Sequence, residues 1–271
     1  MASYLRPTSL PDALAALAEG PRTLLAGGTD HYPARATFEP DEDILDLSGL
    51  AGLRRIERDG AHWRIPALAT WTDLIEAELP PLFDGLRAAA RHIGGWQVQN
   101  QGTPVGNVCN ASPAADGIPA LMALDACVEL ASPAGTRSLP LAAFVLGPRR
   151  TARRGHEIVT ALLVPDSPAR SAFLKLGARN SLVISISMVA VTLRQDAGGI
   201  AQARVAVGAC GPVATRLPLL EAALLGRRPD PALARPEHLA PLAPIDDVRA
   251  PAAYRRAATL ELLRRALAGL A

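Results

Sequence analysis

Two glycine-bearing segments constrain this chain more than anything else in it. They are Leu24-Leu25-Ala26-Gly27-Gly28-Thr29-Asp30-His31 and Thr103-Pro104-Val105-Gly106-Asn107. The first grows out of the short apolar run Thr23-Leu24-Leu25-Ala26, which reads as a strand breaking into a glycine turn. Glycine at a strand exit lets backbone N–H groups approach a phosphate with no Cβ in the way. Two such segments facing one another can clamp a diphosphate from both sides. Neither spells GxGxxG or GxxxxGK[ST], so the Rossmann and P-loop readings fail. On pattern alone, Gly27-Gly28 is equally a tight turn with no ligand.

The remaining pattern alternates helices with short strands. Ser9 and Asp12 form a capping box ahead of a helix carrying Leu10, Ala13, Leu14, Leu17 and Ala18, closed by Gly20. Asp43 to Leu47 reads as a second short strand, giving a small βαβ-like unit. Leu53 to Glu57 and His62 to Leu68 flank an Asp59-Gly60 turn and read as a hairpin. Helices are predicted over Thr72 to Leu79 and Pro81 to about Ile93. Gly94 to Gly117 shows little periodicity, and its small, apolar residues favour a functional segment over disorder. A short helix (Pro119 to Ala126) and strands at Cys127 to Ala131 and Glu157 to Val164 follow. After Pro165-Asp166-Ser167-Pro168 a second lobe begins, with strands at Ser171 to Leu176, Ser185 to Arg194 and Ala201 to Val207. Asp196-Ala197-Gly198-Gly199 is a hairpin signal between the last two. Tyr254 to Leu270 reads as an amphipathic helix.

The polar stretch after the second glycine segment, Asn107 to Gly117, leads directly into the helix near Pro119. Asp116 suits the N-cap of that helix, and a carboxylate there also suits ribose hydroxyls or an adenine amine. With 271 residues and 49% apolar content, the chain has material for a full core in two lobes. A net charge of +2 makes no case for nucleic acid. No apolar run reaches the ~18 residues of a membrane span, and the first residues lack a signal-peptide core, so a cytoplasmic protein is expected. Cys109, Cys127 and Cys210 stand far apart with no CxxC pair, and the five histidines are scattered. No metal site, iron–sulfur site or nucleophile–base pair is expected from them.

Together these segments resemble one family. Ala26-Gly27-Gly28-Thr29-Asp30, Thr103 with Gly106-Asn107, and Ala111-Ser112-Pro113-Ala114-Ala115-Asp116 are similar to the FAD-binding medium subunit of molybdenum hydroxylases such as xanthine and carbon monoxide dehydrogenases. The resemblance continues through Phe173-Leu174-Lys175-Leu176-Gly177-Ala178-Arg179, Pro244 to Ala250 and Tyr254-Arg255-Arg256, and covers essentially the whole chain. It implies an α+β protein. A two-subdomain, PCMH-type α/β FAD-binding domain would occupy residues 1–167, with subdomains of about 1–57 and 58–167. A small C-terminal domain, 168–271, would carry a three-stranded antiparallel sheet and helices.

By the same resemblance, Leu24, Leu25, Ala26, Gly27, Gly28, Thr29, Asp30 and His31 form one wall around the FAD diphosphate. Thr103, Pro104, Val105, Gly106 and Asn107 form the other. Ile93 packs by the flavin, Asp116 binds the nucleotide half, and Val159 and Lys175 lie near the isoalloxazine. The chain departs from the family at Val105, where relatives carry glycine, and at Pro104, which has no N–H to donate. Val105 tolerates φ > 0 poorly, and a glycine restored there is expected to keep or modestly raise FAD affinity. The implied function is electron transfer. A [2Fe–2S] small subunit would deliver electrons from a molybdopterin large subunit, and FAD would pass them to NAD or another acceptor. The assembly implied is a dimer of heterotrimers. A free-standing flavin oxidoreductase would need a substrate domain, and none is visible. A scaffold subunit with a degenerate flavin site is the other alternative.

Overall fold

The computed structural model describes residues 2–35 and 42–271. Three layers of structure follow one another along the chain. In the first, β1 (Tyr4–Leu5), α1 (Leu10–Glu19), β2 (Thr23–Leu25) and β3 (Ile44–Asp46) make a small parallel sheet in the order β1-β3-β2. Ser9 caps α1 by accepting from the Asp12 N–H, and Ala13, Ala16 and Leu17 of its inner face pack on Leu45 and Leu47. Burying this stripe is what holds so short a sheet together, since three-residue strands carry few ladder bonds.

The second layer is a five-stranded antiparallel sheet ordered β4-β5-β10-β6-β7. Its strands are β4 (Glu57–Asp59), β5 (His62–Pro66), β6 (Cys127–Ser132), β7 (Gly135–Pro140) and β10 (Ile158–Pro165). The Gly60 turn, φ +59, joins β4 to β5 as the Asp-Gly signal requires, although the first strand starts at Glu57 and not at Leu53. Between β5 and β6 the chain makes α2 (Trp71–Glu76), α3 (Asp84–Arg91), α4 (Trp96–Gln101), α5 (Pro104–Asn110) and α6 (Gly117–Ala123). A reciprocal Thr70–Asp73 capping box starts α2. Between β7 and β10 lie the one-turn helix α7 (Leu141–Phe144) and the small hairpin of β8 (Val145–Gly147) and β9 (Arg150–Thr151).

The third layer is an antiparallel sheet, β11 (Arg170–Leu176), β12 (Ser187–Asp196) and β13 (Gly199–Gly208), extended by the two-residue β14 (Thr215–Arg216). Gly199, φ +112, turns β12 into β13, and Asp196 Oδ1 braces the turn by accepting from the Gly198 N–H at 2.9 Å. Ser187 to Leu193 is buried without interruption because both faces of β12 are covered. Met188 and Ala190 join the core around α3 and α6, while Val189, Val191 and Leu193 face α8 (Pro218–Leu224) and α9 (Ala252–Ala268). The motif near the C-terminus is a structural clasp. Arg255, buried on α9, donates to the Ile186 and Ala209 carbonyls and to Asp247 at 2.7 Å. Backbone N–H groups at 249 and 250 and the two arginines hold the Asp247 carboxyl far below the usual carboxylate range. No helix among the described residues is long and apolar enough to cross a membrane.

Candidate functional site

A cleft of about 680 Å³ separates the first layer from the helices of the second. Its first wall is the turn that leaves β2. Leu24, Leu25, Ala26, Gly27, Gly28, Thr29, Asp30 and His31 all line it. Gly28 sits at φ +67, a left-handed conformation that glycine adopts without a steric penalty. Its Tyr32 N–H donates back to the Gly28 carbonyl, which fixes the turn.

Thr103, Val105, Gly106 and Asn107 line the opposite wall, but as the first turns of α5 and not as a loop. Thr103 is the N-cap, its hydroxyl accepting from the Gly106 N–H at 2.9 Å. Pro104 takes the first helical position, where the missing N–H would have had no partner in the helix anyway. It does not line the cleft. Val105 has negative φ and is buried in the core, so the departure from the family's glycine costs no strain. A glycine restored at 105 therefore carries a packing cost that the sequence did not show. Val105→Gly removes a buried side chain, worth about 1.5–3 kcal/mol, and places glycine in a helix at a further cost of about 1 kcal/mol. Urea denaturation of the apoprotein should show a loss of about 2.5–4 kcal/mol; an unchanged midpoint would contradict the packing role.

Ile93, at the end of α3, and Val159, buried on β10, complete the apolar part of the lining. Asp116 and Lys175 are brought together, but with each other and away from the cleft lining. Lys175 Nζ lies 2.6 Å from Asp116 Oδ2, with both side chains over nine-tenths buried, and the Ser185 hydroxyl donates to Asp116 Oδ1. Asp116 does precede α6, yet it has helical backbone angles and makes no capping bond, because its carboxylate is turned to the lysine.

Several lining residues escaped the sequence reading: Arg22, Trp71, Cys109, Asn110, Arg149 and Arg153. The signal that could have flagged Arg149 and Arg153 is the basic cluster Arg149-Arg150 and Arg153-Arg154, and Arg22 has no such signal. Among the described lining residues three arginines stand against one aspartate, so the cleft favours an anion. Asn107 adds a buried Oδ1 with no hydrogen-bond partner in the protein, an acceptor that a ligand donor would satisfy. Cys109 does no thiolate chemistry here. Burial pushes its pKa up to about 12, against a smaller opposing pull from Arg153, and the neutral thiol is a poor nucleophile. These features fit a polar anionic ligand with an apolar end, laid between the glycine turn and α5.

Residues 1–167 match the family described as the FAD binding domain in molybdopterin dehydrogenase, and residues 172–270 match the CO dehydrogenase flavoprotein C-terminal domain. The xanthine dehydrogenase FAD-binding subunit of Escherichia coli O157:H7 is 36% identical over 228 residues, which is 79% of this chain and 76% of that protein. The carbon monoxide dehydrogenase medium chain of Hydrogenophaga pseudoflava is 28% identical, covering 97% of this chain and 95% of the relative. A solved structure of carbon monoxide dehydrogenase from the same organism superposes with a TM-score of 0.91 at 28% identity, across 99% of this chain and 96% of that one. Matched by these two domain families in order and by a relative at 36% identity, the chain is a member of the FAD-binding medium subunits of the xanthine and carbon monoxide dehydrogenase family of molybdenum hydroxylases.

Proposed function

We propose that this chain carries one noncovalent FAD in the cleft and acts as the electron-transfer subunit of a heterotrimeric molybdenum hydroxylase. The observation that carries the reading is the cleft itself, with a glycine turn on one side, a capped helix start on the other, and arginines along its edge. The backbone from Ala26 to Asp30 approaches the diphosphate, and Thr103, Gly106 and Asn107 meet it from the other side. Ile93 and Val159 offer apolar contact to the ring system. Lys175 and Asp116 act as positioning residues behind the cleft, and Pro104 sets the start of α5.

When bound, the flavin supplies the redox chemistry, exchanging one or two electrons at its ring. The protein's part is to bind and orient it and to shield its apolar face. No side chain of the cleft needs to act as an acid, base or nucleophile for this. In the assembly proposed, a [2Fe–2S] small subunit delivers electrons released at a molybdopterin large subunit, and NAD or another acceptor removes them. Two such heterotrimers pair. The division into residues 1–167 and 168–271 belongs to the same proposal, with the flavin held by the first part.

Acid or heat treatment of the purified protein should release intact FAD into the supernatant. Flavin retained by the precipitate would contradict noncovalent binding, and a colourless protein that takes up no FAD would favour the scaffold alternative. Native expression should yield a complex with two partner polypeptides. Elution only at the 28.3 kDa of the single chain would remove the heterotrimer.

A further inference from the structure

Arg149 stands on the turn between β8 and β9 at φ +58, a conformation that is costly for any residue but glycine. Ala111, where α5 ends, is left-handed as well, at φ +48. The two are tied, since the Arg149 N–H donates to the Ala111 carbonyl at 3.0 Å. That bond seats the turn against the end of α5 and leaves the side chain spanning the cleft. Nη1 donates to Asp30 Oδ2 on the first wall at 2.7 Å, and to Asn110 Oδ1 on α5.

The other two arginines of the lining are engaged differently. Arg22 is held by Ser3, the Ala16 carbonyl and Glu19, and Arg153 by the carbonyls of Arg154, Gly155 and Glu157. Arg149 alone among them bridges from wall to wall, and its ion pair with Asp30 is more than half exposed on both sides. Such a pair contributes little in water, whereas a guanidinium on a phosphate makes a charge-assisted, two-pronged contact. Asp30 is therefore a partner that an entering phosphate can displace.

We propose that Arg149 is a specificity-determining ligand for the diphosphate of the dinucleotide, released from Asp30 as the ligand enters. The proposal rests on the flavin-site reading above. It explains why a non-glycine residue is kept in a left-handed turn at this point, because the turn aims a long cationic side chain at the glycine wall. It also makes a distinction among flavins. A ligand with a diphosphate engages Arg149, and riboflavin, which has none, does not.

The test is titration of the flavin-stripped full-length protein with FAD, ADP and riboflavin, at low and moderate salt. Arg149→Met should weaken FAD and ADP roughly tenfold or more and flatten their salt dependence, while leaving riboflavin within about twofold. Arg149→Lys should recover part of the loss, since it restores charge without the fork. Asp30→Asn should tighten ADP by about twofold to fivefold, because the competitor for Arg149 is gone. Unchanged FAD and ADP affinity in Arg149→Met would overturn the proposal. So would an equal loss for riboflavin, which would mark the residue as structural. Unmodified protein that takes up none of the three ligands would overturn the flavin-site reading, and this assignment with it.

Discussion

Replacing Lys175 with methionine is expected to destabilise the apoprotein by about 3–5 kcal/mol, the cost of stranding one member of a buried ion pair. Lys175 is the only lysine in the chain. Its side chain is 5% exposed and that of its partner Asp116 is 8% exposed, with 2.6 Å between Nζ and Oδ2. Methionine matches the stem in length, so the loss measured is that of the charge and its hydrogen bond. The carboxylate would be left with the Ser185 hydroxyl alone, in a setting that penalises an unpaired anion. The double variant Lys175→Met with Asp116→Leu should regain most of the loss, because a buried pair is often replaceable by apolar side chains of similar volume. Urea denaturation of the three variants reads this out. The experiment also separates two roles for the pair. A residue that touches flavin would lower FAD affinity with little change in apoprotein stability, and that result would place Lys175 in the site and not behind it.

The same pair shows where the sequence was legible and where it was not. Asp116 sits just ahead of a helix, and local chemistry alone makes it a cap. Its partner lies on β11, and a buried charge 59 residues away outcompetes the local bond. No window of neighbouring residues contains that information. The glycine turn after β2 was legible because Gly27-Gly28 ends an apolar run abruptly, and β12 and β13 were legible from the Asp196 to Gly199 turn. Helices α4 and α5 were not. Both are short, and α4 neither buries a residue nor carries a side-chain cap to mark its start. Arg149 was missed for a third reason. Its position depends on two left-handed residues meeting at the end of α5, Ala111 and Arg149 itself, and neither is glycine.

Gly27→Ala is expected to be the most damaging single substitution in the cleft. A Cβ built on Gly27 falls 1.9 Å from the Gln101 carbonyl oxygen, 2.6 Å from its carbon and 3.0 Å from Gly102 Cα. All three atoms are backbone, so no side chain can swing aside to relieve the clash. Either the turn after β2 or the link between α4 and α5 must move, and those are the two walls of the site. Overpacking in a well-packed core costs typically ~1–3 kcal/mol, and a clash with backbone on both sides belongs at or above that range. The glycine requirement at 27 is thus set first by how closely the walls approach one another, and only through that by the ligand between them. Gly28→Ala should be less severe. Its penalty comes from φ +67 and from contact with the Tyr32 ring at 3.0 Å, which has some freedom to turn. Gly20→Ala is the control, since a Cβ there meets nothing within 4 Å and the backbone is extended at φ 172. Flavin absorbance per protein after purification, together with the melting temperature of each apoprotein, measures the series. Gly27→Ala should lose more than about 100-fold in FAD affinity, a difference of about 2.7 kcal/mol, while Gly20→Ala keeps the wild-type ratio. A Gly27→Ala protein that purifies with full flavin and an unchanged melting temperature would show that the two walls do not meet as described.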